Sequence, residues 1–227
     1  MIRAAIIIFL LIFSLINVCS AQTNKEKFIP SFSLRTNLLS FAEIDGGIML
    51  GARYQWAKKF SVTIDPTFIF FSPYRSQNSA DLKTSGIKIR ADIRYHFEKF
   101  LLNLPGVFIA PEFHFKKAGI GKTTTFGINC VGQTCNYYME AEYKEIKNEI
   151  GGSLKLGIDL PLDKKERFSF EIYGGLGVKV NHYTYKSIPA GGSFLSGENI
   201  HQDFFNIADG KAIPILPASI KLCYQIR

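Results

Sequence analysis

The sequence predicts an all-β chain, an eight-stranded antiparallel up-and-down transmembrane β-barrel, and three observations carry that expectation. The first is strict alternation, clearest from Gly86 to Phe97. There Ile87, Ile89, Ala91, Ile93, Tyr95 and Phe97 take every second place, and Lys88, Arg90, Asp92, Arg94 and His96 fill the places between. Side chains alternate across a strand with a period of two, so one face is apolar and the other charged; a helical period of 3.6 would mix them. The second is a rhythm of connections, short and long in turn. The third is that no apolar run after the first twenty or so residues is long enough for a spanning helix.

The chain has 227 residues and a formal charge of +8. It opens Met-Ile-Arg, continues apolar from Ala4 to Ile16 and reaches Asn17-Val-Cys-Ser-Ala21, the layout of a cleaved secretory signal peptide. The run is too short for a membrane helix. Bulky Val18 before Cys19 does not suit a lipoprotein signal. The expected organisation is therefore a signal peptide over 1–21, a short N-terminal segment over 22–30 and the barrel over 31–227. Losing Arg3 takes the charge from +8 to +7. This dispersed excess suits anionic lipid headgroups and lacks the basic runs of nucleic-acid binders.

Three cysteines remain after residue 21. Cys130 and Cys135 lie close together and read as a disulfide closing a small loop in an oxidising compartment, with Cys223 alone in the last strand. A zinc site would need two further ligands nearby, which the sequence does not provide. No cofactor is expected.

In order, the expected strands are Ser31–Ser40, Ile48–Trp56, Phe60–Phe70, Gly86–Phe97, Val107–Lys117, Ile146–Leu160, Phe168–Tyr183 and Ala218–Ile226. The connections after Trp56, Phe97 and Leu160 are short, and the first, between Ser40 and Ile48, is short as well and breaks the rhythm. Those over 72–85, from Ala118 to about Tyr143, and from Tyr183 to Ala212 are long and polar. In an up-and-down arrangement alternate connections share an end, which places tight turns at one end and loops at the other, as in outer-membrane barrels.

Alternation leaves open which face looks inward, since a soluble barrel and a membrane barrel are inverses. Small residues on the polar face (Gly51, Gly151, Ser153, Gly157, Gly175, Gly177) suit a narrow interior. Aromatics gather at strand ends: Tyr54, Trp56, Phe60, Tyr95, Phe97 and Phe168 by the turns, Phe70, Phe113, Phe115 and Tyr183 by the loops. Strands of about 9–11 residues suffice to cross a bilayer at a tilt. The polar face is thus expected inside, with no open channel at eight strands. Its charges must then pair. Arg35, Arg53, Asp65, Lys88, Arg90, Asp92, Arg94, Glu112, Lys155, Asp159, Glu171 and Lys179 form the expected interior network, structural rather than catalytic.

The segments Leu34-Arg-Thr-Asn-Leu-Leu39, Gly51-Ala-Arg-Tyr54, Gly86-Ile-Lys-Ile-Arg90 and Phe108-Ile-Ala-Pro-Glu-Phe113 resemble the small outer-membrane β-barrel proteins of Bacteroidetes-type bacteria, many of them grouped as a domain of unknown function. The resemblance implies an OmpA- or OmpX-like barrel without a reaction, in the bacterial outer membrane. Unlike many such chains, this one closes on Tyr224-Gln-Ile-Arg227 rather than on an aromatic residue.

Lys117-Ala-Gly-Ile-Gly-Lys-Thr123 resembles the end of a phosphate-binding loop, but Lys116 stands where the first Gly belongs and Thr124 onward starts no helix; it reads as a flexible loop. His114 and His182 fall near the loop ends of their strands, the level at which a lipid A deacylase or acyltransferase would work, though no Ser-His-acid arrangement accompanies them. The leading expectation is a non-enzymatic envelope or adhesion protein. Its expected partners are outer-membrane lipids, lipopolysaccharide and, during insertion, the barrel-assembly machinery; it is expected to be a monomer. A lipid-modifying enzyme and a soluble periplasmic ligand-binding barrel are the alternatives.

Overall fold

The structure, a computed structural model, describes residues 28–40, 43, 46–71, 84–98, 106–131, 134–163, 167–194 and 210–226. The expected signal peptide over 1–21 and most of the connection over 72–85 lie outside the described residues. Ten strand segments form one antiparallel sheet: β1 (Ser31–Asn37), β2 (Gly46–Ala57), β3 (Phe60–Phe71), β4 (Thr84–His96), β5 (Val107–Ile128), β6 (Tyr137–Pro161), β7 (Phe168–Lys186), β8 (Gly192–Phe194), β9 (Ala212–Ile215) and β10 (Ala218–Ile226). β1 to β7 pair in sequence order, and β10 pairs with both β7 and β1, so a ring of eight strands closes on itself. A closed ring leaves no long free edge along its wall.

The two additional strands sit where loops were expected. β9 pairs with β7 ahead of β10, so the closing strand runs in two pieces separated by Leu216 and Pro217. β8 is a three-residue strap paired to the far end of β5.

The expected long loop between the fifth and sixth strands is instead a hairpin. β5 and β6 keep one register from Val107–Ile158 to Ile128–Tyr137. Polarity pointed to a loop, but Thr123, Thr124 and Thr125 are β-branched and suit an extended backbone. The hairpin tip is tied by the Cys130–Cys135 disulfide and by a bridge between Val131 and Thr134. The phosphate-loop-like segment Lys117–Thr123 is therefore a strand, with no helix behind it to receive a phosphate.

The first strand stops three residues earlier than expected. Leu39 N–H donates to Asn37 Oδ1 at 2.9 Å and Ser40 Oγ donates to the Asn37 carbonyl at 2.9 Å, a side-chain-built turn that bends the chain back to β2. Leu38 and Leu39 are consequently both exposed instead of alternating. At the other end, β2 and β3 are joined through Lys58 and Lys59 alone.

Two prolines interrupt the ladders. The β2–β3 pairs skip from Met49–Thr67 to Ala52–Ile64 around Pro66, and the β4–β5 pairs skip from Asp92–Glu112 to Tyr95–Ile109 around Pro111. Each has no N–H to donate, and both are tolerated because the ladder resumes on either side.

The distribution of side chains is the reverse of a water-soluble core. Leu34, Leu50, Ile64, Phe68, Leu154 and Leu176 are exposed on the outer face, whereas Arg35, Asp65, Arg94, Lys155, Glu171 and Lys221 are buried inside. Besides Met49 and Ile69, which are buried on the same side, apolar side chains enter the interior in two clusters. Phe108, Ala110 and Tyr173 cluster within the ring, and Phe126, Ile128 and Tyr143, with Ala141 and Tyr185, cover the inner face of the projecting hairpin.

Four residues tie the turn-side aromatic row together. The Phe60 ring lies 6.3 Å from Trp56 and 5.4 Å from Tyr95, which lies 5.1 Å from Phe97. On the loop side the expectation needs correcting. Phe113 and Phe115 pair across to Ala91 and Ile89 and do not stand at a strand end, because β5 continues to Ile128 with Lys117 as its next outward-facing residue. Tyr183 faces inward, beneath the Lys147 ammonium.

Candidate functional site: a charge-paired interior

The alternation of seven strands places charged side chains at one level inside the ring. Glu171 on β7 is the hub. Arg35 on β1 donates Nη2 to both of its carboxylate oxygens, at 2.6 and 2.7 Å, and Arg94 on β4 donates from Nη1 and Nη2 at 2.6 and 3.0 Å. Arg94 also reaches Asp92 at 2.8 Å. Lys155 on β6 bridges Asp92 and Glu112 at 2.5 and 2.6 Å, and Lys221 on β10 donates to Asp65 on β3 at 2.6 Å.

Four cations (Arg35, Arg94, Lys155, Lys221) thus meet four carboxylates (Asp65, Asp92, Glu112, Glu171). The layer is neutral, and that is what permits it to be dry. A single buried charge is very costly, but here every charge has an opposite partner in a network of charge-assisted hydrogen bonds, with Arg35 Nε and Nη1 and Asp65 Oδ1 as the plug atoms that have no hydrogen bond among the described residues. Aromatic faces complete the coordination. The Arg94 guanidinium lies 4.3 Å from the Phe108 centroid, and the Lys155 and Lys221 ammonium groups lie 4.6 and 4.9 Å from that of Tyr173. Solvent does not reach this layer, so it acts as a plug across the ring.

Glycine makes the layer fit. A Cβ on Gly51 would collide with the Asp65 carboxylate, and one on Gly151 would collide with the His114 ring. The interior is wide enough for these charged groups only because the facing positions are bare.

Smaller groups flank the plug. Toward the short turns, Arg53 pairs with Asp159 at 2.6 Å, and Ser61 Oγ lies 2.8 Å from His96 Nε2. Toward the loops, Glu43 descends from the β1–β2 connection onto Lys88 and lies 3.5 Å from Arg90. Burial pushes the Glu43 carboxyl up, but Arg90 and Lys88 more than offset this and hold it below the usual carboxylate range. On the opposite wall Glu149 faces Lys179 at 2.9 Å, His114 at 3.5 Å and Lys116 at 3.6 Å, and Lys122 pairs with Glu145 at 2.6 Å further out.

All twelve charged residues expected inside do point inward. Seven of them (Arg35, Asp65, Asp92, Arg94, Glu112, Lys155 and Glu171) are pinned together in the plug, Arg53 and Asp159 form the turn-side pair, and Lys88, Arg90 and Lys179 join groups nearer the loops. Residues that sequence reasoning left out of the network are Lys221, Glu149, Lys116, Glu145, Lys122 and Glu43. Lys221 shares its phase with Ser219 and Cys223, opposite Ile220 and Leu222, so the alternation that located the others would have found it. Glu43 sits in a turn, where no period exists to reveal it.

The histidines do not converge. His114 is buried and inward-facing, whereas His182, paired through Asn148 with Lys117, lies on the outer face. The two stand on opposite sides of the wall. Ser61 and His96 form a hydroxyl–imidazole pair, but no carboxylate hydrogen-bonds His96 among the described residues. Nor do the described residues hold a cluster of three or more His, Cys, Asp or Glu side chains fit to bind a metal. No described helix is long and apolar enough to cross a membrane.

No family model matches the chain, and no curated protein matches it. Among solved structures it is similar to CarO2 of Acinetobacter baumannii, with 12% identity and a TM-score of 0.41 over 88% of this chain and 100% of that one.

Proposed function

We propose that the chain is an outer-membrane β-barrel protein without enzymatic activity, a closed and plugged wall in the envelope that carries a hairpin outward. The observation that supports this most strongly is the inverted distribution of side chains. A ring with leucine, isoleucine and phenylalanine outside and arginine, lysine and carboxylates inside is stable only where the outer solvent is apolar. Closure supports the same reading, because a bilayer tolerates strands only when every backbone group on the wall is paired.

The plug argues for a role in which nothing is conducted, and the projecting hairpin gives the protein an outward feature for envelope integrity or adhesion. Outer-membrane lipids and lipopolysaccharide are its partners under this reading, with the barrel-assembly machinery during insertion and a monomer as the resting state. The expectation of a cleaved signal peptide belongs to the same proposal.

Cell fractionation combined with heat-modifiable gel mobility tests it. The protein is expected in the outer-membrane fraction and to run faster unheated than boiled. Recovery as a soluble periplasmic protein without detergent would overturn the reading.

A further inference from the structure

Beyond the apolar belt, the outer face of β5, β6 and β7 changes character in successive rows. Phe115, Ile150 and Val180 lie in one paired row at the edge of the belt. The next outward-facing row is Lys117, Asn148 and His182, and the one after it Gly119, Ile146 and Thr184. The third places Lys144 directly opposite Lys186, with Gly121 on the other side. Further out the sign reverses, with Glu142 and then Glu140 on the same face of β6.

Two features of this patch ask for an anion. Like charges directly opposite one another in an antiparallel pair are destabilising, yet Lys144 and Lys186 occupy such positions. Lys117, Lys144 and Lys186 are all exposed, and no described carboxylate forms an ion pair with any of them. Second, the patch is shaped toward the belt. The Lys144 side chain lies across Gly119, its Cε 2.6 Å from where a Cβ would stand. It therefore leans back toward Lys117 and away from Glu142, and any side chain at 119 would block that path.

We propose that this outer face binds the phosphate groups of an anionic glycolipid of the surrounding outer leaflet, held by Lys117, Lys144 and Lys186; the inference rests on the outer-membrane reading above. The position identifies the source of phosphate. At about 3.4 Å per residue, the Lys117 row begins roughly 7 Å along the strand past the belt and the Lys144–Lys186 row about 20 Å past it. A phosphoglycolipid with a tall, multiply phosphorylated headgroup spans both rows, whereas a phospholipid headgroup reaches only the first. The acidic residues beyond them mark the end of the phosphate zone.

The test uses the mature full-length chain folded in detergent micelles, titrated with bisphosphorylated lipid A and with the same glycolipid stripped of phosphate. Bound lipid is read by native mass spectrometry. The wild type is expected to prefer the phosphorylated form. Each lysine near an anionic headgroup contributes roughly a factor of five, so Lys144→Ser with Lys186→Ser should weaken binding on the order of thirtyfold, while Lys144→Arg with Lys186→Arg should retain it. Equal binding of the two glycolipids, an unaffected serine variant, or equal occupancy by inorganic phosphate alone would overturn the proposal. Heat-modifiable mobility in the same micelles separates the two readings. If the shift is present without phosphate preference, only the lipid site is lost; if the protein needs no micelle to stay soluble, the membrane reading and the site fall together.

Discussion

Glu171 accepts four short hydrogen bonds from two arginines that have no route to water. Replacing it with Ala would leave Arg35 without a hydrogen-bonded carboxylate and Arg94 with Asp92 alone, and breaking one side of a buried network costs about 3–5 kcal/mol. The Glu171→Ala barrel is expected to unfold at clearly lower urea concentration than the wild type, read by the loss of the heat-modifiable band. Glu43 responds to pH instead. Its carboxyl is held below the ordinary range in the folded state, so its contribution is present at neutral pH and is lost as pH falls through that lowered value. Acidification should therefore loosen the β1–β2 connection, seen as a lower amide protection factor (exchange relative to the intrinsic rate at each pH) at Gly47, whose N–H donates to the Ser40 carbonyl. Glu43→Gln should show the loose behaviour already at neutral pH.

At the scale of elements, the wall and the hairpin respond to different perturbations. Leu154 is exposed in the middle of β6, opposite Leu176 on β7. Under the proposed outer-membrane reading an arginine there faces lipid and costs about 2–4 kcal/mol near mid-bilayer. Leu154→Arg should fold poorly into bilayers; if it folds as well as the wild type, the outer face is not in lipid. The hairpin tip lies far from the plug. Its disulfide closes a short loop worth about 2 kcal/mol by chain-entropy arguments, and Ser193 Oγ, on the β8 strap, lies 3.1 Å from Cys130 Sγ. Replacing both cysteines with serine is expected to lower the urea midpoint modestly and to speed amide exchange at Asn136, whose N–H donates to the Ile128 carbonyl, and at Asn129, whose N–H donates to the Gly191 carbonyl.

For the whole molecule, both ends of the sheet meet where the turns are short. Phe32 pairs with Ile226, so the start of β1 and the end of β10 share that side with the Lys58–Lys59 turn. The hairpin and the connections rooted near Asn37, Phe71 and Lys186 occupy the other side. An antibody tag inserted after Val131 is expected to be reached on intact cells, and one inserted at Lys58 only after permeabilisation. Labelling of both, or of Lys58 alone, would reverse the orientation.

The alternation of apolar and polar residues by itself determined the strands, their order and the set of residues that share a face, because a period of two is a local property of an extended chain. It located all twelve interior charges from Arg35 to Lys179, and would have located Lys221 by the same phase. What it left open were lengths and partners. Thr123 to Thr125 and Glu140 to Glu145 look like loop when polarity alone is weighed, and only pairing between β5 and β6 shows them as strand. That Arg35 from the first strand and Arg94 from the fourth meet on Glu171 in the seventh was a matter of closure. The carboxylate lies 136 residues from one partner and 77 from the other, and no local period records how a sheet rolls up to bring them together.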